Sequence, residues 1–233
     1  MISNENIARI AGIGYLIIFI TGIFSNFFIL ENLIVPGDSA QTFNNFQSND
    51  SLFRIGIFSF IIMVIFDVVL TWALYILFLH VNKNLSLLSG WLRLVNCAIF
   101  AIALFNLFDV LQFLSSVEYL NAFTLEQLYA QVLLSLSSFN YTWLIGLVFF
   151  GLHLLVLGYL IFKSELIPTF IGILLIIAGI GYLIDSFANF LLSNYKDYED
   201  IFLMIVIIPG IVGELSLTFW LLFKGNKIPE ATT

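Results

Sequence analysis

The chain has 233 residues, of which 61% are hydrophobic and 10% charged, with 26 phenylalanines. Soluble domains carry about 25% charged residues, so this composition excludes an ordinary soluble fold. The net charge of −7 argues against nucleic acid as a partner, and the single cysteine, Cys97, excludes a disulfide framework and a cysteine-based zinc site.

The first apolar run, 10–30, exceeds the ~7–15 residues of a signal-peptide core and carries no A-x-A cleavage site, so it reads as a permanent helix. Five more runs of similar length follow, separated by short polar loops, which is the pattern of membrane-spanning helices. The six spans are expected at about 8–28, 55–80, 86–114, 141–162, 168–192 and 201–223. The expected fold is all-α, a six-helix transmembrane bundle filling one integral membrane domain over 1–233.

Two loops hold helix-start signals. Asp38-Ser-Ala-Gln41 predicts a capping box, with Asp38 as N-cap and Gln41 reaching back to its amide. Thr124-Leu-Glu-Gln127 repeats the device, and Leu125, Leu128, Tyr129, Val132 and Leu136 follow at helical spacing. An amphipathic helix over about 124–138, lying on the outer interface or acting as a lid, is expected there.

Cation placement sets the orientation. Arg9, Lys83, Arg93, Lys163, Lys224 and Lys227 fall on one side and Arg54 and Lys196 on the other, which puts both termini in the cytoplasm. Trp91 on the inner side and Tyr141 and Trp143 on the outer fit interfacial aromatics.

The chain also repeats itself. Ala11-Gly-Ile-Gly-Tyr-Leu-Ile17 recurs identically as Ala178-Gly-Ile-Gly-Tyr-Leu-Ile184. Asp67-Val-Val-Leu-Thr71-Trp72 resembles Glu214-Leu-Ser-Leu-Thr218-Phe-Trp220. Spans 1–2 and 5–6 therefore look like parallel copies, while spans 3–4 match less well. Transporters are often built from such repeats, with sites at the repeat interface.

Against this apolar background the buried ionisable groups stand out, because a carboxylate near mid-bilayer costs ~2.5–3.5 kcal/mol and usually faces protein or water. At 1.5 Å per residue Asp67 lies ~18 Å into the second span, with His153 and Glu214 at similar depth. Asp109 and Asp185 fall in the outer third of theirs. The expected arrangement is a central tier of Asp67, His153 and Glu214 and an outer tier of Asp109 and Asp185. Asn189 lies one turn from Asp185, and Thr71 and Thr218 lie at i+4 from the central acids. Pro209-Gly210, just before Glu214, frees the Ile205 carbonyl from the helix ladder. Asn96, Asn106 and Gln112 read as interhelical hydrogen-bonding glue. Arg54 and Arg93 read as helix-end residues whose heads snorkel to the interface or pair with an acid.

The stretches Arg9-Ile-Ala-Gly-Ile-Gly-Tyr-Leu, Leu33-Ile-Val-Pro-Gly-Asp38, Leu52-Phe-Arg54-Ile-Gly, Gly158-Tyr-Leu-Ile-Phe-Lys163, Gly179 to Phe187 and Gly213 to Gly225 carry a resemblance over essentially the whole chain. It is similar to an uncharacterised bacterial multi-pass membrane protein family, the domain of unknown function numbered four-three-eight-six. The resemblance implies a bacterial inner-membrane location and transfers no activity.

Three functions compete. The first is binding or transport of protons or a small polar or cationic solute through an acidic cavity formed by Asp67, Asp109, Asp185, Glu214, His153, Asn189, Thr71 and Thr218. The second is a structural or partner-dependent role in the bilayer. The third is a metal-dependent lipid-modifying enzyme with Asp67, His153 and Glu214 as ligands, since one imidazole and two carboxylates can make an open zinc site. No serine elbow, paired-histidine motif or phosphate-binding loop is present, so a non-enzymatic role without a cofactor is expected.

Overall fold

A computed structural model gives the fold and describes residues 3–115, 118–164 and 166–225. Among these residues the regular structure is entirely helical, and six helices are long and apolar enough to cross a membrane. The first span joins α1 (Asn4–Ile23), a π-helical turn (Phe24–Leu30) and α2 (Glu31–Leu33). A surface helix, α3 (Ser39–Ser48), precedes α4 (Asp50–Phe78) and α5 (Lys83–Phe113). A short 3-10 turn (Glu118–Ala122) leads to α6 (Leu125–Lys163). Next come α7 (Thr169–Leu191), a second 3-10 turn (Tyr195–Asp197) and α8 (Glu199–Lys224). Lys227, counted above among the inner cations, lies outside the described residues.

The segment expected as a separate interfacial helix over 124–138 instead runs unbroken into the fourth span. No proline or glycine interrupts it before Gly146, so nothing ends the helix. Its 39 residues reach ~58 Å, about twice the hydrocarbon thickness. The cap itself forms: the Thr124 amide donates to Gln127 Oε1 at 2.8 Å and the Gln127 amide to Thr124 Oγ1 at 3.3 Å. At α3 only half of the box forms. The Gln41 amide donates to Asp38 Oδ1 at 2.8 Å, but the Gln41 side chain turns forward to Asn45, and the Asp38 amide bonds the Val35 carbonyl.

The chain divides into two compact units, and α1, α4, α5 and α6 each contribute to both. One comprises 18–65 and 98–143. Its core is aromatic: Trp143 stacks on Phe100 at 3.7 Å between centroids and also meets Phe60 and Phe139. Trp143 is therefore a packing residue rather than an interfacial anchor, whereas Tyr141 remains exposed. In the π-turn, Ser25 points inward and donates to the Gly56 carbonyl at 2.9 Å, satisfying its hydroxyl inside the unit.

The other unit comprises 1–17, 66–97 and 144–233, and holds all of α7 and α8. Glycines set its closest helix contacts. A methyl built on Gly158 would sit 2.6 Å from the Gly172 carbonyl oxygen, and one on Gly179 would sit 2.7 Å from that of Gly151. α6 and α7 thus touch backbone to backbone at two points seven residues apart on each helix, the close approach that small residues allow within a bilayer. Across α7 and α8, a methyl on Gly181 would lie 2.6 Å from the carbonyl oxygen of Ile205. That is the carbonyl that Pro209 cannot bond, so the broken ladder position is covered by glycine backbone.

These contacts leave no room for a side chain. Gly158→Ala should destabilise the detergent-solubilised protein by ~1–3 kcal/mol, the cost of overpacking. Gly90→Ala, where the nearest atom is an ordinary 3.7 Å away, should be neutral or slightly stabilising. Thermal unfolding of the two variants checks the contrast.

Candidate functional site

The second unit carries a buried charge network on which all six spans converge. Asp67 points inward from α4, where Thr71 one turn on donates its hydroxyl to the Asp67 carbonyl at 2.8 Å. Its partner is Arg93 of α5, only 1% exposed, whose Nε lies 2.7 Å and Nη2 2.6 Å from Asp67 Oδ1. Arg93 stands ten residues into α5, ~15 Å from the Lys83 end, too deep for its head to reach the interface. Of the two expectations for Arg93, the pairing with an acid is the one that forms, in the interior.

The third donor of the guanidinium, Nη1, lies 3.0 Å from His153 Nε2 on α6. The opposite ring nitrogen, Nδ1, lies 3.0 Å from the Ser89 carbonyl oxygen and 2.9 Å from Ser89 Oγ. An arginine only donates and a carbonyl only accepts, so the ring is neutral with its proton on Nδ1. Two aromatic rings complete the enclosure: the guanidinium carbon is 5.2 Å from the centroid of Tyr15 on α1 and 5.3 Å from that of Phe150 on α6.

Glu214 of α8 is placed differently. Its hydrogen bond comes from Tyr182 of α7, at a long 3.4 Å to Oε1, and Thr218 bonds back to the Glu214 carbonyl at 2.7 Å. Gly210, one turn before Glu214, makes the space for that phenol: a methyl there would sit 3.2 Å from the Tyr182 hydroxyl. The Tyr182 ring meets Phe150 edge-on at 5.1 Å, and Glu214 lies within electrostatic reach of Arg93 and Asp67. Arg93 bonds Asp67 and makes no direct contact with Glu214 among the described residues.

The central tier of Asp67, His153 and Glu214 is gathered, but not as a set of metal ligands. Among the described residues no three His, Cys, Asp or Glu side chains are arranged to hold a metal ion. Arg93 occupies the space between Asp67 and His153, and a cation there excludes a second one. The nearest recess, about 200 Å³ lined by Thr71, Ser86, Ser89, Gly90 and His153 with apolar neighbours, does not admit a water-sized sphere. Asp67, Arg93 and His153 are close-packed, while Glu214 is half-buried.

Asp109 is exposed on α5, whereas Asp185 is buried on α7 and accepts the Tyr195 hydroxyl at 2.7 Å, with Asn189 facing the same phenol. Burial, and then the Asp185 carboxylate, push the Tyr195 phenol above its ordinary range. Asn96, read as interhelical glue, is buried with neither end of its amide hydrogen-bonded among the described residues. Asn106 turns back to the Ala103 carbonyl and Gln112 is exposed.

Sequence reasoning missed Ser89, Tyr15 and Tyr182 as members of the network, and allowed Arg93 an acid partner without naming Asp67. A signal existed: Ser89, Arg93 and Asn96 recur at i, i+4 and i+7 along α5, one polar stripe on an otherwise apolar helix. The tyrosines are the polar members of the repeated heptapeptide.

Six apolar helices around a buried ion pair define a multi-pass integral membrane protein. The chain belongs to the family described as Domain of unknown function (DUF4386), which matches residues 10–225. It is also similar to an uncharacterized protein of the archaeon Archaeoglobus fulgidus, 32% identical over 179 residues, covering 77% of this chain and 87% of the relative. The likeness is therefore not confined to bacteria. No solved structure matches the chain.

Removing one partner of a buried pair strands the other. Asp67→Asn should cost ~3–5 kcal/mol, and the double change Asp67→Asn with Arg93→Gln should cost less than the single one. Unfolding measured in the same detergent for both variants checks this order.

Proposed function

We propose that this protein binds a proton or a small cation at Glu214, in the middle of its last span. The observation that carries the reading is the imbalance of charge: Asp67 takes two contacts from Arg93, while Glu214 has only a long bond from Tyr182. An anion left this poorly compensated within a bilayer costs several kcal/mol and is relieved by a proton or a cation. Pro209 and Gly210, one turn before it, cost α8 one ladder bond while the helix runs on, and spans interrupted by Gly or Pro mark substrate and coupling-ion sites in transporters. His153, Thr71 and Thr218 support the two acids, and Asp185 with Asn189 forms a separate polar contact with Tyr195.

In this reading the membrane is the cytoplasmic one. Removing the interior Arg93 from the cation tally still leaves five against two, with both termini inside. The α1–α4 and α7–α8 pairs are copies of one unit, each contributing a tyrosine, a carboxylate and a threonine.

Proteoliposomes loaded with a pH-sensitive dye test the function. An acid or cation pulse should give uptake that falls at least tenfold in Glu214→Gln and is retained in Glu5→Gln, which alters only an exposed pair with Arg9. Equal uptake in all three proteins, or none above protein-free vesicles, would sink the reading.

A further inference from the structure

The repeated heptapeptide places Tyr15 on α1 and Tyr182 on α7 at equivalent positions. Each has a carboxylate counterpart on the span that follows it, Asp67 and Glu214. Each carboxylate residue is followed at i+4 by a threonine bonded back to its carbonyl, at 2.8 and 2.7 Å. The side-chain bonding differs. Tyr182 donates to Glu214, whereas the buried Tyr15 hydroxyl makes no hydrogen bond of good geometry among the described residues and has the Arg93 guanidinium as its polar neighbour. The Tyr15 ring lies under Arg93, and its phenol is within electrostatic reach of Arg93, Glu214 and Asp67. Arg93 has taken the carboxylate that the sequence pattern pairs with Tyr15.

We propose that Asp67 and Glu214 form a single-proton site, in which one proton and the Arg93 guanidinium sit on opposite carboxylates and trade places. This rests on the reading of Glu214 above and names its ligand as the proton. With His153 neutral, two carboxylates and one guanidinium leave one negative charge, which one proton cancels. An organic cation would cancel it too, but needs volume, and Asp67, Arg93 and His153 are packed to at most 3% exposure.

In the arrangement seen, Arg93 is on Asp67, and the proposal puts the proton on Glu214. In the other, the O–H bond at Glu214 breaks and one forms on an Asp67 carboxylate oxygen. The guanidinium N–H groups turn to Glu214, and the Tyr15 hydroxyl bonds Asp67. Net charge is the same at both ends, and only a proton and hydrogen bonds move. The groups facing the exchange are Tyr15 on α1, Asp67 on α4, Arg93 and Cys97 on α5, and His153 on α6. Tyr182 on α7 has Asp185 behind it, and Glu214 completes the set on α8.

His153 reports the exchange, because Arg93 donates to its Nε2 only while the guanidinium is on Asp67. The chain has two histidines, so nitrogen-15 histidine labelling in nanodiscs, assigned with a His80→Gln control, reads that nitrogen directly. Glu214→Gln should hold the Nε2 signal at one position across pH, with Arg93 fixed on Asp67. Asp67→Asn should move it by several ppm, to that of an imidazole nitrogen without a donor. The wild type should show exchange broadening that Tyr15→Phe, which leaves the ion pair intact, abolishes.

The carbonyl-stretch infrared band of a protonated carboxyl group, present in the wild type and lost in Glu214→Gln, reports proton binding separately. That band together with an Nε2 signal unmoved in Asp67→Asn overturns the exchange and leaves Glu214 as a proton site. No such band in the wild type overturns both. Should Asp67→Asn fail to fold, identical sharp Nε2 signals in wild type and Tyr15→Phe overturn the exchange.

Discussion

A guanidinium held inside an apolar helical unit governs the arrangement of everything around it. Arg93 cannot be discharged, and five N–H groups in hydrocarbon must be met by acceptors or aromatic faces. Asp67 meets two donors, His153 a third, and the rings of Tyr15 and Phe150 cover the faces. Together these requirements draw α1, α4 and α6 in toward α5. The ion pair is a weak source of stability in itself, because desolvation offsets its attraction. Its value lies in specifying which faces of α1, α4, α5 and α6 turn toward one another.

The second requirement is proximity. Short polar side chains meet across helices only if the backbones approach closely, and lipid offers little hydrophobic force to bring them together. Glycine supplies the approach where α6 crosses α7 and where Gly181 covers the Ile205 carbonyl. Gly210 supplies it again by leaving the hollow that the Tyr182 phenol fills on its way to Glu214. The same residues that break or thin the helices therefore position the polar groups.

Much of the fold was legible in sequence, because length and hydropathy alone identify spans, and all six lie where the apolar runs place them. The error at 124–138 has a simple cause. Ser137, Ser138 and Asn140 look like a loop in composition, yet without proline or glycine a helix passes through them when its apolar side is buried, as at Val132, Leu136 and Phe139. Of the site, the central acids and His153 were legible as costly residues, but their relations were not. Arg93 was assigned by its distance from a loop rather than by its phase on α5, where it shares a face with Ser89 and Asn96. Asp109 and Asp185 are alike in sequence and depth, and only packing separates an exposed side chain from one capped by Tyr195.

The two glycine crossings between α6 and α7 also fix how far one helix can slide on the other. Contacts at Gly151–Gly179 and Gly158–Gly172 coincide in one alignment; a shift by one heptad would leave a single crossing, and any smaller shift would drive side chains into backbone. The pair behaves as a keyed joint with one seat. Whatever the protein does in its working cycle, Phe150 and His153 on one helix and Tyr182 on the other travel together as a fixed block. Rearrangement then falls to side-chain rotation and to α8, where Pro209 leaves one ladder bond unmade.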